Sequence, residues 1–302
     1  MSQRYQAGIV LPGYNALLVP NAPTIGTATA GSGSASVTFT APADVGGGAI
    51  TGYSVVSTPS GIIGTGASSP ITVSGLSNGT AYTFKVFATN AYGPSPLSAA
   101  SNSVTPVMAI GEAYGGGFYA GQIGVSSVAT HNLVVGPVAS AQVNRVWKNA
   151  LTATAGADSA IDGPQNTADM VADGNATVYA AAHFCNDLVT GGYSDWYLPA
   201  RNELEVCYYN LKPTTQSNNT SYGINPNAVP ARASNYTAGT PAQTSATNFK
   251  DTGSEDFALG FYWSSTDSTA TYAISLYFGY GGQFNTNKTN YAPIRAVRRV
   301  AV

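Results

Sequence analysis

Apolar and polar residues alternate in short runs through the first third of the chain. Residues 36–40, 53–56 and 82–88 have a period of two, and Gly, Pro and Asn separate them. Such runs predict half-buried strands, and their spacing predicts a β-sandwich. Further strands are expected over 118–123 and 133–135. Then the period changes. Val178, Ala181, Ala182, Cys185 and Leu188 recur at helical spacing, so a helix is expected over 176–188, with Asn175 as N-cap and Gly191 and Gly192 past its end. A second helix is expected over 200–211, after Pro199. Alternation returns at 273–278, where Ile274, Leu276 and Phe278 are expected in the core and Ser275 and Tyr277 outside. Beyond Phe278 it dissolves.

Composition sharpens the division. Of 12 Lys plus Arg and 14 Asp plus Glu, only Arg4, Asp44 and Lys85 precede Val107, and a boundary is expected at Thr105-Pro106. Three parts follow: a docking segment over 1–21, a spacer over 22–106 and a binding domain over 107–302. With 9% charged residues and a net charge of -2 there is no basic stripe to neutralise phosphates, so no nucleic-acid partner is expected. Hydrophobic residues at 44% permit a large core, and no apolar run is long enough to insert in a bilayer. The first twenty residues carry one Arg and are broken at Pro12 and Pro20, so no signal peptide is expected there. Their apolar side chains are too few for a domain, and docking onto other virion proteins is the expected role.

The run from Gly75 to Val86, with Leu76 and Tyr82 at tyrosine-corner spacing, and the following Asn90-Ala91-Tyr92-Gly93-Pro94 resemble a fibronectin type III domain. Phe39 stands where many members carry Trp. Three later blocks lie in order: Gly192 to Leu204, Tyr262-Trp263-Ser264-Ser265-Thr266, and Ile294 to Val300. Together they resemble the bacterial and phage domain family that includes the C-terminal domain of the Legionella collagen-like adhesin. That resemblance implies an α+β, C-type-lectin-like fold behind an all-β sandwich. It also implies that the segment before the last strand is the one that relatives diversify by retroelement mutagenesis.

Within the blocks, Trp196 and Trp263 are expected as core anchors and Asp195 as a tie to turn amides. Glu203 is expected to hold a buried Arg, with Arg295 and Arg298 as candidates. The ligand face is expected elsewhere. Ten aromatic residues fall within 257–291, against 11% for the chain, and the loop beyond Phe278 is rich in Tyr, Asn and Gly. Rigid aromatic area with adaptable amides is paratope chemistry. Tyr272, Tyr277, Tyr280, Gln283, Phe284, Asn285, Asn287, Asn290 and Tyr291 are the candidate ligand-binding residues.

Enzyme readings lack parts. His131 and His183 belong to no catalytic motif, and Asp251, Glu255 and Asp256 form a charged loop without framing residues. Asp162 and Asp173-Gly174-Asn175 offer oxygen ligands but no calcium-loop spacing, and Cys185 and Cys207 are expected as reduced core thiols. No metal, cofactor or catalytic residue is expected. The expected function is a non-enzymatic phage virion adhesin, present in several copies on the particle and freed by lysis, whose partner is a host surface glycan or protein. A capsid decoration or tail-completion protein and a bacterial surface adhesin are the alternatives.

Overall fold

The computed structural model describes residues 18–302, and the chain divides into a first unit ending at Ala109 and a second from Ile110 to Val302. The expected docking segment lies outside the described residues up to position 17.

The first unit is a β-sandwich of seven antiparallel strands. β1 (Thr24–Gly31), β2 (Ser34–Thr40) and β5 (Ile71–Ser74) form one sheet; β4 (Ile63–Gly66), β3 (Gly52–Thr58), β6 (Thr83–Asn90) and β7 (Gly93–Pro94) form the other, in that order. Alternation in β2 and β6 buries Val37, Phe39, Phe84, Val86 and Ala88 between them. The Tyr82 hydroxyl accepts the Ser77 amide at 3.1 Å, closing the corner that the Leu76-to-Tyr82 spacing anticipates. Phe39, which stands where Trp is expected in many fibronectin type III domains, packs in the sandwich core 4.8 Å from the Tyr53 ring.

The segment after β7 does not alternate, and the structure shows why. Every third residue, Ser95, Ser98, Ser101 and Val104, donates its amide to every second residue of the run Ala88, Val86, Phe84 and Tyr82. The serine hydroxyls accept the amides of Ala88, Val86 and Phe84 at 3.0 Å, replacing carbonyls that a three-residue period turns away.

The second unit is α+β. β8 (Ala113–Tyr114), β9 (Gly117–Val125), β10 (Val128–Val135) and β16 (Val297–Ala301) form an antiparallel sheet in the order β16-β10-β9-β8. After the single turn α1 (Val138–Ala141), β11 (Gln142–Val146) pairs with β15 (Tyr291–Arg295). β12 (Phe261–Asp267), β13 (Tyr272–Tyr277) and β14 (Gln283–Asn287) make a third sheet. Helices α2 (Gly163–Asp173), α3 (Ala180–Asn186) and α4 (Arg201–Leu211) flank the sheets. One core cluster joins Leu133, Leu204, Tyr208, Phe257 and Phe278; another joins Trp147, Met170, Trp196, Trp263 and Ile294.

Two local expectations are corrected and one helix is added. The helix over 176–188 is α3, starting at Ala180, because the Asn175 side chain accepts the amides of Thr177 and Val178 and holds a separate turn first. Helix α2 was not expected. It starts at Asp162, which accepts the Gln165 amide, with Pro164 in its first turn, and it buries Asn166, Thr167 and Met170, so its inner face carries almost no apolar signal. In β13, Ser275 is buried and Ile274 half-buried, the reverse of simple alternation. The strand is covered on both sides, Ala273 belonging to one core cluster and Leu276 to the other, and the Ser275 hydroxyl is satisfied by Thr286 at 2.6 Å.

Candidate functional site

The three sequence blocks are stitched together by backbone. Tyr197 and Val297 exchange amide hydrogen bonds at 2.8 and 3.0 Å, Ser265 donates to the Pro199 carbonyl at 2.7 Å, and the Arg201 amide donates to Thr266 Oγ1 at 3.0 Å. Charged pairs lock the same junction. Glu203, at the start of α4, accepts the Ala200 amide at 2.8 Å, the Tyr197 hydroxyl at 2.5 Å and Arg299 Nε at 2.8 Å. Its burial pushes the carboxyl pKa up, with Arg299 opposing.

The partner of Glu203 is therefore Arg299, not Arg295 or Arg298. Alternation in β16 turns Arg299 toward α4 and Arg298 away from it, where the guanidinium binds both oxygens of Asp195 at 2.8 and 2.9 Å. Asp195 thus holds an Arg rather than turn amides. Those hydrogen bonds hold its carboxyl below the usual range. Arg295 sits in β15, fully buried, and reaches the Gly136 carbonyl at 2.6 Å and Glu255 at 2.7 Å. Glu255, read as part of an unframed loop, also accepts the Val138 amide at 2.8 Å. A second fully buried carboxylate, Glu205, binds Arg232, with Asn225 and Tyr236 at 2.5 Å; neither Glu205 nor Arg232 stood out in the sequence.

Trp263 and Trp196 are buried and donate their indole N–H groups to carbonyls, of Arg145 at 3.1 Å and of Tyr193 at 3.2 Å. Trp147, which belongs to none of the blocks, is buried as deeply and donates to Ser264 O at 2.8 Å. The groups weighed as metal or catalytic are engaged structurally. Asp162 caps α2, Asp173 accepts from the Tyr179 hydroxyl and Lys148, and His183 Nε2 lies 2.7 Å from the Gly174 carbonyl. Burial lowers the His131 pKa. Cys185 and Cys207 are free, buried in separate clusters, and burial pushes both thiols up.

Most candidate ligand residues come together along β14, the edge strand of the β12–β14 sheet, and the turn into β15. Tyr272, Phe284, Asn285, Asn287, Asn290 and Tyr291 line a groove of about 490 Å³, with Phe261, Thr286 and Ala292. Tyr291 is 76% exposed and Tyr272 41%. Tyr277 and Tyr280 fall beside the groove. Their rings lie 4.6 Å apart, and they join Phe284 through Phe261, 4.9 Å from Tyr277 and 5.3 Å from Phe284. Gln283 is half-buried opposite Leu276 and does not line the groove. The hairpin that carries Tyr280 needs glycine at 281, with φ of +76°, where a Cβ would fall 2.3 Å from the Tyr208 ring.

Two aromatics of this surface were missed as site residues. Phe261 is 40% exposed at the open end of an otherwise buried strand, a place that alternation does not mark. Tyr222, 6.3 Å from Phe284, comes from the long irregular segment between α4 and β12, where no period points to any face.

The turn itself is fixed from beneath. Asn287 Oδ1 accepts the Thr289 amide at 3.0 Å and hydroxyl at 2.8 Å, and the Lys288 carbonyl accepts the amides of Trp147 and Lys148 at 3.0 and 3.1 Å. Lys288 points inward and is fully buried.

Comparison with known proteins agrees with the two-unit division. A fibronectin type III model matches residues 21–104, and an Lcl C-terminal domain model matches residues 140–298. Among solved structures, a set of titin domains is 30% identical over 30% of this chain and 33% of that one, with a TM-score of 0.28. The titin kinase with its flanking domains is 30% identical over 30% of this chain and 17% of that one, at 0.27. The C. elegans twitchin kinase region is 21% identical over the same shares, also at 0.27. The chain spans a third or less of the length of each. No curated protein matches. A fibronectin type III domain followed by an Lcl C-terminal domain is the make-up of a surface or adhesin-like protein, a kind that is typically non-catalytic. The Lcl C-terminal model takes in just over half of the sequence and all three motif blocks apart from the last residues of the third, and the chain belongs to that family.

Proposed function

We propose that this protein is a non-enzymatic phage virion adhesin, with the sandwich as a spacer and the groove around Phe284 and Tyr291 as the surface that meets the host. A contrast between tyrosine hydroxyls carries this reading. The buried Tyr197, Tyr208, Tyr236 and Tyr262 each hydrogen-bond a protein partner, at 2.5, 2.5, 2.5 and 3.3 Å. Among the described residues, the hydroxyls of Tyr272, Tyr277, Tyr280 and Tyr291 have none; Tyr272 and Tyr291 line the groove, and Tyr277 and Tyr280 stand beside it. Rigid aromatic area with unpaired hydrogen-bonding groups is suited to contact rather than to folding. Attachment to the particle is assigned to the segment over 1–21, whose apolar residues are too few and too broken by Pro and Gly to form a domain of their own; its end rests on the sandwich, the Leu18 amide donating to Gly46 O at 3.2 Å and the Leu18 carbonyl accepting from Asn90 Nδ2 at 2.9 Å.

The test uses the full-length chain on a panel of bacterial cells, beside its Tyr272→Ala/Tyr291→Ala variant, with antibody labelling of purified phage particles. Labelled particles and cell binding that the variant loses support the reading. Labelled particles without any cell binding make the chain a decoration protein, and cell binding without labelled particles makes it a bacterial surface adhesin.

A further inference from the structure

Resting on the reading that this groove is the contact surface, we infer that its ligand is an uncharged saccharide chain. Charge is the first ground. Lys288, the one charged residue between Gln283 and Tyr291, is turned under the turn, where its ammonium meets Asp267 at 2.8 Å and the Thr152 carbonyl at 3.0 Å. Arg145 pairs in register with Ala292 at the groove margin, yet it lines a different groove with His183 and Asp187. The other cations nearest in sequence, Arg295, Arg298 and Arg299, are held by Glu255, Asp195 and Glu203. No formal charge lines the groove, so nothing there compensates a sulfate, phosphate or carboxylate for its lost water.

Its polar groups are the second ground. Asn285 Oδ1 is occupied by the Ser268 hydroxyl at 2.7 Å and Asn287 Oδ1 by Thr289, which leaves their amide N–H groups without a partner among the described residues and able to donate to a ligand. The free hydroxyls of Tyr272 and Tyr291 stand beside them. An apolar protein side chain seated here would bury those groups unpaired, whereas a sugar hydroxyl both donates and accepts. The rings of Phe261, Phe284 and Tyr291 supply flat area for the C–H face of a pyranose. The volume of about 490 Å³ suits one or two sugar rings.

The test takes the full-length protein on the cells that it binds, before and after mild periodate oxidation or protease treatment, in low and high NaCl. Immobilised chitotriose, mannotriose and galactotriose are set against heparin and polysialic acid. Binding that periodate abolishes, protease spares and 1 M NaCl changes less than about twofold, with capture on a neutral trisaccharide, is expected. Loss of binding in salt, or capture on the polyanions alone, overturns the uncharged assignment. Protease-sensitive, periodate-resistant binding makes the ligand a protein and overturns the saccharide assignment. Both results leave the contact surface standing if Tyr291→Ala still weakens binding at least tenfold; binding unaffected by Tyr291→Ala removes the surface itself.

Discussion

Lys288 carries its ammonium into the interior and places it 2.8 Å from Asp267 Oδ1 and 2.9 Å from Oδ2, fastening the turn before β15 to the end of β12. The Trp147 ring lies 4.8 Å from the same nitrogen, and burial lowers the lysine pKa. A mobile Tyr- and Asn-rich turn would lose conformational entropy on every binding event; one anchored from beneath has already lost it on folding.

Replacing Lys288 by Met keeps the stem and removes the charge, leaving the mostly buried Asp267 carboxylate without its counter-ion. The expected loss is about 3–5 kcal/mol in urea unfolding. The Lys288→Met/Asp267→Asn double variant should recover most of it, because the uncompensated charge is then gone. Equal instability of single and double variants would show that shape rather than charge anchors the turn.

The Asp195–Arg298 pair predicts an acid limb. Arg298 holds the folded-state pKa of Asp195 below its unfolded value of about 3.9. The pair therefore contributes stability above about pH 4, and that contribution is lost as pH falls through the folded value. Because the Asp195 side chain is 55% exposed, about 1 kcal/mol or less is expected. Glu203 and Glu205 act in the opposite sense, since burial raises both and their contribution falls as pH rises. The informative quantity is the Tm difference between wild type and Asp195→Asn, which should shrink from pH 7 to pH 2; a constant difference would contradict the linkage.

What was legible in the sequence was whatever a period or a fixed spacing carries. Tyr82 and Leu76 declared the corner, and the inward residues of β2 and β6 followed from alternation. Helix α4 ran to Leu211 as its spacing required. Polar burial was not legible: Asn166 and Thr167 form the inner face of α2, so a hydrophobic period had nothing to register. The partner of Glu203 was missed for a different reason. Arg295, Arg298 and Arg299 are equivalent as letters, and only the alternation of β16 and the break at Ala296 send them to three separate carboxylates. The aromatic, Asn-rich surface was visible as composition, yet the inward turn of Lys288 and the arrival of Tyr222 from a distant loop are tertiary facts.

The three-residue period after β7 makes its serines structural. Ser98 is buried and its hydroxyl accepts the Val86 amide at 3.0 Å while donating to Ala99 O at 2.7 Å. Ser98→Ala leaves that amide without a partner in the core of the sandwich, at an expected cost of about 1–3 kcal/mol. Hydrogen exchange at Val86 should accelerate. An unchanged melting curve would mean that water reaches the amide and the hydroxyl is dispensable.

Frame and face should respond in opposite ways to truncation. Trp263 is wholly buried and hydrogen-bonded, so Trp263→Ala should cost about 3–5 kcal/mol, with whatever remains folded still able to bind. Tyr291 is mostly exposed and its hydroxyl has no partner among the described residues, so Tyr291→Ala should move stability by no more than about 0.5 kcal/mol. As an aromatic anchor of the groove it should nevertheless carry on the order of 2 kcal/mol of binding. Phe284 lies between the two cases. It is half-buried and touches Phe261, Tyr280 and Tyr222, so Phe284→Ala should lose both stability and binding, and it separates nothing. Paired thermal melts and cell-binding isotherms decide the matter. If Tyr291→Ala lowers the melting temperature as far as Trp263→Ala does while binding persists, the exposed ring belongs to the frame and the face must be sought on another surface of this unit.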